Sequence, residues 1–125
     1  MNAESQDTRH APDVMSPLCP SRGVLKHLTS QWGVLVLVAL QDGTLRFSAL
    51  RRRVGGVSER MLAQTLQVLE GDGLILRVAH QVVPPHVDYS LTPLGMEAAE
   101  RVFHLTNWIE EKMPQILAHR ASRGD

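Results

Sequence analysis

The chain has 125 residues, of which 43% are hydrophobic and 21% charged, and its 13 basic side chains balance 13 acidic ones at a formal net charge of zero. That suffices for one domain with a single modest core, leaves no room for a second catalytic domain, and argues against a protein that coats nucleic acid along its whole surface. A single cysteine, Cys19, excludes an intrachain disulfide framework and a cysteine-rich zinc module, while the lack of a roughly 20-residue apolar run or a secretory start leads us to expect an intracellular protein with no membrane partner.

Residues 1–17 are polar with few large apolar side chains, so they cannot repay the entropy of ordering themselves; a flexible N-terminal arm is expected there. A folded domain is expected over 18–113 and a C-terminal tail over 114–125. A helix begins near Pro20, with Val24, Leu25 and Leu28 as its apolar side. Cys19 then lies at a helix N-terminus with Arg22, Lys26 and His27 close in sequence, which favours the thiolate. The alternative is a small apolar residue packed at a subunit interface. Trp32 to Leu40 is almost continuously apolar and reads as a buried helix, with Trp32 as packing.

Asp42-Gly43 signals a turn, Leu45-Arg46 a short strand pairing with later ones, and Phe47, Leu50 and Val54 a helix that carries Arg51, Arg52 and Arg53. Gly55-Gly56 turns the chain into Ser58, a good N-cap. The helix after it has an apolar face of Met61, Leu62, Thr65, Leu66, Val68 and Leu69, and leaves Glu59, Arg60, Ala63, Gln64 and Gln67 on the other side. Gly71 and Gly73 should stop it at about Glu70.

Leu74 to Val78 and Val87 to Leu91 read as strands of a hairpin. Between them, Pro84-Pro85 cannot donate to a ladder and stiffens an extended, partly basic loop flanked by His80 and His86. Thr92 caps a last helix with Pro93 at its first position. Its stripe of Met96, Ala99, Val102, Phe103, Thr106, Ile109 and Met113, broadened by Leu105 and Trp108, has more than one surface to cover. Running to about Lys112 it would leave the domain, and Pro114 should end or kink it.

Cys19-Pro20, Trp32, Arg46-Phe47-Ser48, Leu50, Gly56-Val57-Ser58, Arg60, Leu62, Leu66, Leu69-Glu70, Gly73-Leu74, the run from Val83-Pro84-Pro85 through Tyr89 to Thr92, and Gly95 together resemble the HxlR-type family of bacterial winged helix-turn-helix transcriptional regulators. The match covers about Cys19 to Trp108, and the proline pair followed by valine, tyrosine, leucine and threonine is its specific part. The resemblance implies a mainly α fold with a small β-hairpin wing (α+β), dimerising through terminal helices and binding double-stranded DNA. It also implies that a cysteine before a proline at this place senses oxidants or electrophiles in some members and not in others. Gln31 departs from the family, which often carries a basic residue there; that bears on one backbone phosphate contact.

On this reading a two-fold dimer binds an inverted repeat. Arg60, Gln64 and Gln67 are the candidates for base edges, since arginine pairs with guanine and glutamine with adenine, and Ser58 and Ala63 allow close approach. Arg51, Arg52, Arg53 and Arg77, with His80 or His86, would serve phosphates or the minor groove. Between Gly43 and His86 six arginines face only Glu59, Glu70 and Asp72. An exposed leucine or aromatic patch would instead have favoured a protein-interaction module; a small-molecule effector stays open if Cys19 is structural. No phosphate-cradling glycine loop, nucleophile elbow or HExxH sequence supports an enzyme, and no cofactor or metal is expected, His80 and His86 being read as framing the wing.

Overall fold

The computed structural model describes residues 13–124; residues 1–12 of the expected arm, with residue 125, lie outside that part. Asp13 to Cys19 folds into two successive turns closed by Ser16 N–H to Asp13 and Cys19 N–H to Ser16 bonds of 3.0 and 3.2 Å. The Arg22 guanidinium donates to the Met15 carbonyl at 3.1 Å and so fastens these turns to helix α1, Pro20–Thr29.

Helix α2, Gln31–Ala39, starts at Ser30, whose hydroxyl accepts from Gly33 N–H at 3.1 Å. Gly33, Val34, Val36, Leu37 and Ala39 are buried, so an apolar sequence with no polar side becomes the central rod of the domain. A single 3-10 turn, Leu40–Asp42, leads into strand β1, Leu45–Arg46, and then helix α3, Phe47–Arg53.

Helix α4, Glu59–Gly71, buries Leu62, Leu66 and Leu69 against this core, each contributing roughly 1.5–3 kcal/mol on burial. Its end is fixed by backbone geometry. Gly73 takes φ of +77°, and the Gly73 and Leu74 N–H groups donate back to Glu70 and Leu69 at 2.9 and 3.0 Å, satisfying carbonyls that have no partner within the helix. Leu74, expected to open the first strand, is instead the buried residue that closes this motif.

Strand β2, Ile75–His80, begins one residue and ends two residues later than expected, while β3, His86–Leu91, begins one residue earlier and ends at Leu91 as expected; they are joined by only Gln81–Pro85. The sheet is antiparallel in the order β1-β3-β2, with Leu45 opposite Tyr89, Ile75 opposite Leu91 and His80 opposite His86. Tyr89 and Ile75 face the core; past Ile75 the rest of β2 is exposed or half-buried, so the hairpin projects as a wing.

Helix α5, Pro93–Arg123, is longer than the periodicity predicted. Thr92 accepts from Gly95 N–H at 2.9 Å and donates to the Gly73 carbonyl at 2.6 Å, tying the start of α5 to the exit of α4. A Cβ on Gly95 would fall 1.9 Å from the Leu74 carbonyl oxygen, so only glycine permits this approach. Of the two outcomes expected at Pro114, an end or a kink, the end is not observed: α5 continues through it to a left-handed Gly124. Pro114 removes one backbone donor, but this part of the helix is largely exposed, and water can satisfy the carbonyl left over. Met96 is also corrected: it is 60% exposed, because the covered face runs through Gly95, Ala99 and Val102. Among the described residues no single helix is long and apolar enough to cross a membrane.

Candidate nucleic-acid interface

The exposed side of α4 carries Glu59, Arg60, Ala63, Gln64 and Gln67, as the periodicity predicts. Arg60, Gln64 and Gln67 are spaced by four and three residues and so share one stripe. No large apolar side chain lies within that stripe. Met61 and Val68 lie to one side, where with Gln64, Lys26, His27 and Trp32 they line a cavity of about 350 Å³ between α4 and the first two helices. Gln64 thus borders both the outer face and this cavity.

Ser58 is exposed, but its hydroxyl is committed to the helix, accepting from Met61 N–H at 3.1 Å. It fixes the N-terminus of α4, where four N–H groups without helical partners and the helix dipole favour an anion. Arg51 has two tasks: its Nε donates to the Val57 carbonyl at 3.5 Å and its Nη1 lies 3.6 Å from Glu59. Both partners of that pair are well exposed, so it contributes below about 1 kcal/mol. Arg52 and Arg53 are exposed; Arg52 lines, with Ser48 and Arg51, an open groove between α3 and the start of α4.

Arg77 is exposed in β2, opposite Tyr89, on the core-facing side of the sheet beyond the point where the core ends. His80 and His86 do not frame the wing separately. Their rings stack with centroids 4.6 Å apart and both turn toward Asp88, at 2.9 and 3.8 Å from its Oδ2. Asp88 was not singled out from the sequence as a site residue; strand alternation from His86 and pairing of the two strands were the signals that could have found it.

Cys19 occupies the N-cap position of α1 and is partly buried. Its Sγ lies 3.0 Å from the Ser21 hydroxyl, and this bond, helped by backbone hydrogen bonds to Asp13 and Ser21, holds the thiol pKa below its ordinary value. Of the basic neighbours expected to do this, Arg22 is drawn instead to the Met15 carbonyl at 3.1 Å and His27 to Asp72 at 2.6 Å. That last contact pins α1 to the end of α4.

Two consecutive helices, the second capped and exposing a polar stripe, with a three-stranded sheet whose hairpin projects beside them, define a winged helix-turn-helix. The model of the HxlR-like helix-turn-helix family matches residues 27–117. The chain belongs to that family, and it is a DNA-binding transcriptional regulator rather than an enzyme. It is 64% identical over 105 residues to the HTH-type transcriptional regulator YtfH of Escherichia coli (strain K12), covering 84% of this chain and 83% of YtfH. The solved structure of the transcriptional regulator ytfH from Salmonella typhimurium superposes with a TM-score of 0.85 at 60% identity, covering 89% of this chain and 99% of that one. The redox regulator HypR in its reduced form gives a TM-score of 0.71 at 30% identity, covering 79% and 98%.

Proposed function

We propose that the protein acts as a homodimer that binds an inverted-repeat operator, with one α4 in each of two major grooves and the wings against the flanking backbone. The observation that carries this reading is the stripe of Arg60, Ala63, Gln64 and Gln67: exposed, free of large apolar groups, and held on a helix anchored in the core by Leu62, Leu66 and Leu69. Arg60, Gln64 and Gln67 read base edges. Ser58 presents the helix N-terminus and Ala63 allows close approach. Arg51, Arg52, Arg53 and Arg77 contact phosphates, and His80 and His86 lie where the wing meets the duplex.

Dimerisation through α1 and α5 is supported by side chains that one chain leaves uncovered: Leu25 is 43% exposed, Phe103 40%, Trp108 53% and Leu117 53%. Oxidation or alkylation of Cys19 then shifts these helices and changes the spacing of the recognition helices. The lowered thiol pKa and the likeness to HypR support this. The cavity between α4 and the first two helices supports a second reading, in which a small molecule seated behind α4 is the effector and Cys19 is structural.

Selection of bound duplexes from a random pool by the reduced protein, repeated after mild oxidation, tests the proposal. An enriched inverted repeat that is lost on oxidation, and retained by Cys19→Ser under the same oxidant, is expected. Retention without enrichment, vanishing with salt, would contradict operator reading. A ligand screen by thermal shift distinguishes the second effector.

A further inference from the structure

We propose that His80, His86 and Asp88 form a binding site for a divalent transition-metal ion, of the zinc, nickel or cobalt class, at the loop end of the wing. The register builds the triad. His80 and His86 are directly paired across β2 and β3, and Asp88 lies two residues along β3 from His86, so all three side chains leave the same face of the hairpin. On that face the two imidazole Nε2 atoms lie 2.9 and 3.8 Å from one carboxylate oxygen, and the three ligand atoms fall within 4.8 Å of one another.

Those spacings suit a shared ion. Zinc binds imidazole nitrogen and carboxylate oxygen at about 2.0–2.2 Å, which sets two ligand atoms in a tetrahedral site roughly 3.3 Å apart. From the observed 3.8 and 2.9 Å, His86 would move about 0.5 Å toward the Asp88 oxygen and His80 about 0.4 Å away from it. The donors also choose the metal: two imidazoles with one carboxylate suit zinc, nickel, cobalt or copper, whereas magnesium and calcium require oxygen-rich shells. Three protein ligands leave a fourth position for water or for a group brought by a partner.

The surroundings are consistent with this role. The ligand side chains are 39%, 22% and 27% exposed, which lets an ion enter, and Val78 is paired with Asp88 across the hairpin. The charged group facing the triad from the adjacent strand is Arg46, opposite Asp88 in β1. The Asp88 Oδ2 nevertheless turns to the two imidazoles. A bound ion would brace the two strands where the core no longer does, and would add positive charge to the wing.

Titration of the reduced, chelator-treated full-length chain with cobalt(II) tests the site without DNA, so its failure leaves the operator reading untouched. One equivalent should bind with a ligand-field spectrum free of thiolate charge transfer, and zinc should displace it. His80→Ala and His86→Ala should each lose on the order of tenfold or more in affinity, Asp88→Asn should weaken binding, and His104→Ala should bind as the parent does. Absence of stoichiometric binding, a thiolate spectrum pointing to Cys19, or unchanged affinity in both wing variants would overturn the proposal. Should a wing variant misfold by circular dichroism, acylation of the histidines in the parent chain decides. Zinc must protect His80 and His86 from diethyl pyrocarbonate, and unprotected rings would equally overturn the site.

Discussion

In α4 the inward leucines Leu62, Leu66 and Leu69 are 0%, 2% and 1% exposed, and both ends of the helix are capped by named hydrogen bonds. In α5 only Gly95, Ala99 and Val102 are buried, and from Phe103 to Arg123 no residue is, although Phe103, Leu105, Trp108, Ile109 and Leu117 are all apolar. At about 1.5 Å per residue the 31 residues of α5 extend about 46 Å, well beyond the core they start from. One helix is completed within the chain and offers a polar face outward. The other keeps an apolar face that the chain itself does not cover, and under the proposed function the contrast separates recognition from assembly.

The comparison predicts opposite responses to truncation. Leu62→Ala should cost about 2–5 kcal/mol in chemical denaturation, because the cavity forms at a side chain that is fully buried. Trp108, 53% exposed, lies on the proposed dimer face, so Trp108→Ala should leave the fold intact but weaken self-association by about 2 kcal/mol in sedimentation equilibrium. If Trp108→Ala instead unfolded the chain and left association unchanged, the distinction between the two helices would be broken.

Within the reading head the roles divide further. Arg60→Ala should weaken operator binding by about 1–3 kcal/mol and relax its sequence preference, whereas Arg52→Ala should weaken all duplexes alike and reduce the salt slope by about 1. Equal, uniform losses in titrations over several salt concentrations would merge the two roles. Ser58→Ala should cost about 1 kcal/mol of thermal stability, the value of one N-cap. The smallest effect concerns Cys19. Because its pKa is lowered, the thiolate persists to lower pH, so the alkylation rate against pH should rise at a more acidic midpoint than in denaturant. Ser21→Ala should move that midpoint back up.

What the sequence makes legible follows from how local the cause is. Ser58, Gly73 and the Thr92-Pro93 pair act within one turn of themselves, so their cap roles follow from residue type and spacing. The exposed stripe of α4 follows from period alone. Pro114 misleads because a helix breaker is judged by its missing donor, and an exposed helix can leave that carbonyl to water. Met96 misleads because the close approach of Gly95 to Leu74 rotates the covered face, a contact between distant segments. The meeting of His80, His86 and Asp88 depends on the register and on strands extending to both histidines, and the hairpin was expected to be shorter. The partners of Cys19 and Arg51 depend on side-chain rotamers, which residue spacing does not fix.

The most direct test of the central claim is a guanine methylation footprint on a selected operator, read on both strands with the reduced protein. The account predicts two clusters of major-groove protection about one helical turn apart, related by a dyad, with the protection opposite Arg60 lost in Arg60→Ala. A single cluster, or protection that Arg60→Ala leaves unchanged, would contradict a dimer that reads DNA through the exposed face of α4.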